Sequence, residues 1–379
     1  MAPRVPVMRP WLGEEEALAV AEALRSGWIA QGPRVAAFEA AFAETIGAEA
    51  AVAVSSCTAA LHLALVVGGV GAGDDVVVPS LSFIATANAP TYVGARPVFA
   101  DVDPCSQNVT PETVDAALTP ATRAVVVVHQ VGMPADLDGL HALCDPRGIL
   151  VVEDAACAIG STYHGDLIGT GSDLVTFSFH PRKLLTTGEG GMLVSRRADW
   201  AARARALREH GMSVSAAARH ASDVPMAESY LEVGFNYRMT DLQAAVGLVQ
   251  LGKLDAMVAH RREQAARYQK LLAEASGIGV PHDPPWGTTN YQSFSIALPE
   301  DVDRDAVMAR LLADGISTRR GVMAAHLEPA YADRRVSLPV TERLVRSSLI
   351  LPLYQALEPD EQAWVVERLV AALADRPAR

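Results

Sequence analysis

The sequence predicts an α/β protein: a mostly parallel, seven-stranded sheet between helices, followed by a smaller α+β domain. Three observations carry that reading. Seven short β-branched runs between Ala51 and Val194 are apolar on both faces and alternate with helical stretches, the pattern of strands covered on both sides by crossover helices. A chain of 379 residues is longer than one compact core usually organises, so two domains are expected. A long helical stretch from Thr240 to about Ala275 joins them, which sets the division at 1–250 and 251–379, with the N-terminal segment free to pack on the smaller domain.

Each element has its own signal. Glu14 to Arg25 has the period of an amphipathic helix and stops at Ser26-Gly27, where glycine ends it. The loop GWIAQGP follows, and Pro33 opens a second helix through Phe38 and Phe42. Strands are expected at Ala51–Val54, Asp75–Val78, Pro97–Ala100, Ala124–Val128, Ile149–Glu153, Leu174–Phe177 and Met192–Val194. Helices are expected at Thr58–Val67, Ile84–Val93, Pro111–Leu118, Leu137–Cys144 and Ala198–Glu209. Met192–Val194 follows Leu174–Phe177 too closely for a crossover helix, so that pair is expected to be an antiparallel edge of the sheet. Gly211 to Gly234 reads as a long irregular segment, of a length typical of functional loops. Thr240 caps the long helix, with Asp241 in its first turn and a bend near Gly252. The smaller domain is expected to hold a strand at Ser293–Leu298, a helix at Asp303–Asp314, a short strand at Ile316–Thr318 and a closing helix at Pro359–Ala374.

Composition narrows the class. The formal net charge is −12, which argues against a general nucleic-acid or anionic-membrane surface. It leaves room for a local basic cluster that meets a small anion. No run reaches the roughly 18 apolar residues of a membrane span, and MAPRVPVMRPWLGEEE has no apolar signal core. Cys57, Cys105, Cys144 and Cys157 lack CxxC or zinc-type spacing, so they are expected to be reduced thiols of a cytoplasmic protein, with no metal site.

The chemistry centres on Thr176 to Gly191, TFSFHPRKLLTTGEGG. Only three of the 32 basic residues are lysines: Lys183, Lys253 and Lys270. Lys253 and Lys270 sit in polar helical patterns and read as solvated. Lys183 follows an apolar strand and precedes a glycine-rich hairpin. Arginine supplies charge equally well, but only a lysine amine forms an imine with an aldehyde. A surface loop lysine is the other reading of this stretch taken alone. Val52 to Leu65, VAVSSCTAALHLAL, ends a buried strand in small polar residues and opens a helix, which makes either an anion site or an ordinary N-cap. ILVVEDAA places Glu153 and Asp154 at the C-terminal end of a strand, the ligand side of an open α/β sheet. They point to opposite faces, so at most one enters a given site. With no GxxxxGK[ST] or GxGxxG in the chain, a cationic ring nitrogen is the economical partner for such an acid, and a helix cap is the alternative. A phosphate site, an acid for a protonated ring nitrogen and an amine for an aldehyde are together the three handles of pyridoxal phosphate. Phe83, in PSLSFIATAN, could stack on the ring, although read alone it belongs in the core.

In this order the stretches SSCTAALHLAL, VVVPSLSFIATANA, FADVD, VVVVHQVGMPADLD, VVEDAACAIGS, FSFHPRKLLTTGEGG and GFNYRMTDLQAAVG resemble the DegT/DnrJ/EryC1/StrS sugar aminotransferases, fold type I of the pyridoxal-phosphate enzymes. The resemblance runs from SGWIAQGP to LILPLY. It implies that Lys183 carries the cofactor in imine linkage and that Asp154 pairs with the pyridinium nitrogen. It implies further that Phe83 stacks on the ring, that Ser178 and the Cys57-Thr58-Ala59 turn bind the phosphate, and that Asn236 reaches the phosphate of the neighbouring subunit in a homodimer. Family members commonly have glycine at the position of Cys57 and glutamine or histidine at that of Cys157. Cysteine at 57 requires a negative φ with its amide still facing the phosphate. Cysteine at 157 offers the ring only a weak S–H donor, so altered cofactor affinity or spectrum is expected.

The resemblance also implies L-glutamate as amino donor, ping-pong kinetics and a keto-sugar acceptor. Trp28, Arg319, Arg320 and His326 stand where family members meet substrate or close the site. An arginine pair suits a diphosphate or a carboxylate, and equally a solvated surface. A nucleotide-linked 3- or 4-keto hexose is the first expectation, and a free keto-cyclitol of the aminoglycoside type is the alternative. A non-catalytic regulator that binds the cofactor or a sugar nucleotide would need neither Lys183 nor Asp154. A dehydratase of this family would have histidine in place of Lys183.

Overall fold

The computed structural model describes residues 4–214, 219, 222–334 and 336–374. Two helices open the chain, α1 (Glu14–Ser26) and α2 (Pro33–Ile46), each ended by a glycine at positive φ, Gly27 and Gly47. Then come β1 (Ala50–Val54), α3 (Cys57–Val67), β2 (Asp75–Pro79), α4 (Ile84–Tyr92), β3 (Arg96–Ala100), α5 (Pro111–Asp115), β4 (Thr122–Val128), α6 (Leu137–Cys144) and β5 (Leu150–Asp154). Two short strands, β6 (Thr162–Tyr163) and β7 (Asp166–Leu167), precede β8 (Val175–Ser178), β9 (Gly191–Ser195) and α7 (Ala198–Leu207).

Seven of these strands form one sheet in the order β1-β9-β8-β5-β4-β2-β3. Only β9 runs against the others, antiparallel to both of its neighbours. The expected antiparallel pair is present, but β9 is not at an edge. Its outer side pairs with β1, from Ala50↔Ser195 to Val54↔Gly191, so β1 is the edge strand. Side chains alternate as a period of two requires. Ala51, Ala53, Val77, Val125, Val127, Val151 and Phe177 pack with α2, α6 and later helices on one face. Val52, Val54, Val76, Val78, Val126 and Val152 pack with α3, α4 and α7 on the other. The parallel strands therefore all end on one side, where loops after β2, β5 and β8 converge.

The irregular segment from Gly211 to Gly234 is present, although 215–218, 220 and 221 lie outside the described residues. Thr240 caps the next helix with its side chain and Gln243 answers in a capping box. The long helix is in fact two, α8 (Asp241–Gly252) and α9 (Leu254–Leu272), bent by 58° at the Gly252-Lys253 step, where glycine gives least resistance. Lys253 is not solvated: its Nζ lies 2.7 Å from both Glu15 and Glu16, beside the Trp11 ring.

The C-terminal part adds β10 (Gly287–Thr288), β11 (Phe294–Ala297), α10 (Arg304–Ala313), β12 (Arg319–Arg320), α11 (Pro339–Ser347), β13 (Ser348–Leu351) and α12 (Pro359–Ala374). Its sheet has the order β11-β13-β12. The strand expected at Ile316–Thr318 lies further on, at Arg319–Arg320, because Ile316 instead bridges Val5. Val5, Tyr268, Phe294, Leu311 and Leu351 share a third buried cluster, so the N-terminal segment packs on this part of the chain.

Candidate active site

Lys183 sits in the loop between β8 and β9, half-buried. Around Lys183 itself the loop is held from outside by Gln292. Gln292 Oε1 accepts from Leu184 N at 2.7 Å and Gln292 Nε2 donates to the Arg182 carbonyl at 2.7 Å, bracketing Lys183 on both sides. Lys183 Nζ donates to Cys157 Sγ at 3.0 Å. Burial works against the ammonium, but Cys157 and then Asp154 and Cys57 outweigh it, so the amine is more basic than an ordinary lysine.

Asp154 ends β5 and is buried. Its Oδ2 accepts from Thr86 Oγ1 at 3.1 Å and its Oδ1 from Ala156 N at 3.1 Å. Ser82 Oγ lies 2.8 Å from the same threonine hydroxyl. Burial raises the Asp154 pKa, against the Ala156 amide, Lys183 and Thr86, which favour the carboxylate. Glu153 faces the other way and pairs with His129 Nε2 at 2.9 Å. The alternation along β5 thus delivers one acid to the Lys183 pocket and sequesters the other.

The N-terminus of α3 closes a third side. Ser56 caps it, and its hydroxyl engages Ala59 N at 3.1 Å. The N–H groups of Cys57 and Thr58, the first two residues of the helix, have no intrahelical acceptor by geometry. Cys57 is helical and outside the positive-φ residues, which meets the condition that cysteine imposed there. Its Sγ lies 4.0 Å from Asp154 Oδ1, and burial followed by that carboxylate holds the thiol far from ionisation. Gly191 pairs with Ser178 in the sheet, and a Cβ on it would stand 2.5 Å from Cys57 N. The glycine of the hairpin is what lets Ser178 and the α3 terminus come together.

Phe83 is not in the core. It is 60% exposed at the N-terminus of α4, and its carbonyl accepts from Thr86 N, so it stands on the turn that also contacts Asp154. Thr86 was the legible companion, one helical turn from Phe83. Gln292 and Asn290, whose Nδ2 donates to the Cys157 carbonyl at 2.9 Å, had no local signal: they act across more than a hundred residues.

The outlying residues divide. Arg319 and Arg320 are exposed on β12, and Arg319 shares a cleft wall with Arg182 and Gln292. Trp28 is half-buried between α1 and α2, against Gly32. Asn236 is exposed and bridges Glu209. His326 is buried, its Nδ1 2.6 Å from Ser80 Oγ, so within this chain it supports the loop after β2 rather than lining the Lys183 pocket. Among the described residues, no group of three or more His, Cys, Asp or Glu is placed to hold a metal ion, and no single helix is long and apolar enough to cross a membrane.

A lysine amine, a buried acid and a helix terminus with free amides, gathered at the strand ends of this sheet, fit pyridoxal phosphate. The protein is a fold type I pyridoxal-phosphate enzyme. Residues 10–370 match the model of the DegT/DnrJ/EryC1/StrS aminotransferase family, and the chain belongs to that family as a pyridoxal-phosphate-dependent transaminase. It is similar to the aminotransferase TlmJ from Streptoalloteichus hindustanus, at 40% identity over 98% of this chain and 99% of that one, TM-score 0.91. DesV of S. venezuelae, solved with a ketimine intermediate, is 36% identical over 100% of both chains, TM-score 0.90. The sugar aminotransferase CalS13 from Micromonospora echinospora is 32% identical over 97% and 99%, TM-score 0.88.

Proposed function

We propose that the enzyme moves an amino group from L-glutamate to the keto group of a nucleotide-linked deoxysugar, a 3- or 4-keto hexose. The observation that carries the amino transfer is Lys183 Nζ on Cys157, within electrostatic reach of Asp154 and of Cys57 at the open amides of α3. Bound there, pyridoxal phosphate supplies an electron sink for the carbon that loses its proton. Asp154, its carboxylate favoured against the effect of burial by the Ala156 amide, Lys183 and the Thr86 hydroxyl, would keep a proton on the ring nitrogen. Phe83 would cover the ring face, and Ser178 with the Cys57 and Thr58 amides would hold the phosphate. Cys157 stands beside the lysine and would face the ring. With the cofactor bound, Lys183 would be the base that moves a proton at the donor carbon.

Residues 1–250 form the cofactor-binding domain in this reading and 251–379 the smaller one. A homodimer completes the site, with Asn236 reaching the partner's phosphate. Support comes from the exposed apolar residues that precede it, Tyr230, Leu231 and Val233, the last 90% exposed, since patches of this kind mark interfaces. Trp28, Arg319 and Arg320 meet the substrates, and His326 steadies the wall behind them.

The test is amine transfer from L-glutamate, followed as 2-oxoglutarate release, against a panel of nucleotide-linked keto hexoses and free keto-cyclitols. Turnover with the nucleotide-linked sugars supports the proposal. Turnover confined to keto-cyclitols, or none with any acceptor, contradicts it.

A further inference from the structure

Cys157 and Lys183 follow two neighbouring strands, β5 and β8, and their functional atoms meet: Nζ stands 3.0 Å from Sγ. One short segment fixes both. Asn290 Nδ2 donates to the Cys157 carbonyl at 2.9 Å, while Gln292 grips the chain on both sides of Lys183. The two clamps are tied to each other, because Gln292 N donates to Asn290 Oδ1 at 2.8 Å. Tyr291, between them, is buried at a φ of +49°, a conformation that a bulky residue holds only where its surroundings enforce it. Sulfur and amine are therefore kept in contact by backbone that has little freedom to part them. Both residues are half-buried, which leaves a way in for a molecule as small as hydrogen peroxide.

Peroxide oxidises a cysteine to a sulfenic acid, whose electrophilic sulfur condenses with a nearby nitrogen or thiol. We propose that Cys157 and Lys183 form an oxidative modification site, at which a peroxide joins Sγ directly to Nζ as a sulfenamide. In the first step sulfur gives two electrons to hydrogen peroxide and the O–O bond breaks. One oxygen stays on sulfur as Sγ–OH and the other leaves as water. In the second step the Lys183 lone pair attacks sulfur, the S–O bond breaks, and the hydroxyl leaves as water with a proton from the amine. The chain loses two hydrogens and two waters form. Only the neutral amine has a lone pair to offer. Burial favours that form, and Cys157, the foremost group opposing it, is consumed as a thiol in the first step. Cys57 is the competing partner, since its thiol is electrostatically coupled to Cys157. Burial and the Asp154 carboxylate keep that thiol protonated, and a protonated thiol does not attack, whereas Nζ is already in contact. A lysine joined to sulfur has no amine for an aldehyde, so the link would block cofactor capture. That consequence rests on the proposed function; the link itself does not.

The test treats the full-length, cofactor-free protein with hydrogen peroxide at about pH 9, where more of the amine is neutral, and then with trypsin. Mass spectrometry should show peptide 148–182, which contains Cys157, joined to peptide 183–196, which begins at Lys183. The joined pair should be lighter by two hydrogens, and dithiothreitol should separate it. Cys57→Ser should still form the link and Cys157→Ser should not. Lys183→Arg should stop at a sulfenic acid on Cys157 that dimedone traps. No joined pair in the wild type, a disulfide between Cys57 and Cys157 in its place, or a link lost in Cys57→Ser overturns the proposal. Pyridoxal phosphate added before the peroxide should suppress the link, and the linked protein should take up no pyridoxal phosphate until it is reduced. The two readings fail separately. A link that forms regardless of the cofactor keeps the modification site and refutes Lys183 as the cofactor's anchor. A protein that captures the cofactor through Lys183 yet never links under peroxide does the reverse.

Discussion

The strand ends of the large sheet and the rim of the small sheet adjoin across the Lys183 loop, yet they are built in opposite ways. At the large sheet each proposed cofactor-binding group is set by a buried strand or the turn after it. Asp154 ends β5, Ser178 ends β8, and the α3 amides follow β1. At the small sheet the charged groups stand exposed on a strand of two residues. In the proposed reading the cofactor lies at the large sheet, where small errors of placement are costly. The rim carries charge on long side chains that adapt to what binds. Acceptor choice is therefore expected to vary by substitution at the rim while the cofactor end stays as it is.

Three substitutions sharpen that contrast. Lys183→Ala should, on the proposed reading, remove the imine-forming amine and the base together and lower kcat by about four orders of magnitude or more, with the fold intact by circular dichroism. Gln292→Leu should keep every reacting group but release the peptide on both sides of Lys183. We expect kcat to fall by about tenfold to a hundredfold with little change in donor KM, as misplacement without lost chemistry predicts. A loss confined to thermal stability would assign Gln292 to the scaffold alone. Cys157→Ala should have the smallest effect and concerns pH. The Lys183 amine must be neutral to capture the cofactor aldehyde. Its pKa is raised in part by Cys157, so capture by the apoprotein should accelerate as pH rises. In the variant that rise should begin at lower pH, and stopped-flow absorbance checks it.

The same contrast explains what the sequence could show. Lys183, Asp154 and the α3 turn were legible because each lies where a local signal, an apolar strand running into small or glycine residues, marks a strand end. Phe83 misled because its apolar character says core, while its position at an exposed helix start says otherwise. Lys253 misled for the opposite reason: its helix pattern is polar, but its partners Glu15 and Glu16 lie in α1. The interior place of β9 was hidden because strand order is a long-range property that a short β8–β9 connection does not encode. Gln292 stayed silent for the same reason. Its importance is a relation between two distant segments, and neither segment alone contains it.

The central claim is that Lys183 holds an aldehyde cofactor which an amino donor discharges. The most direct measurement is the ultraviolet–visible spectrum of the purified protein loaded with pyridoxal phosphate, before and after L-glutamate. The account predicts a yellow, lysine-bound form that bleaches on addition of the donor, and no such form in Lys183→Ala. A wild-type protein that stays colourless with added cofactor, or a yellow one that L-glutamate leaves unchanged, would contradict it.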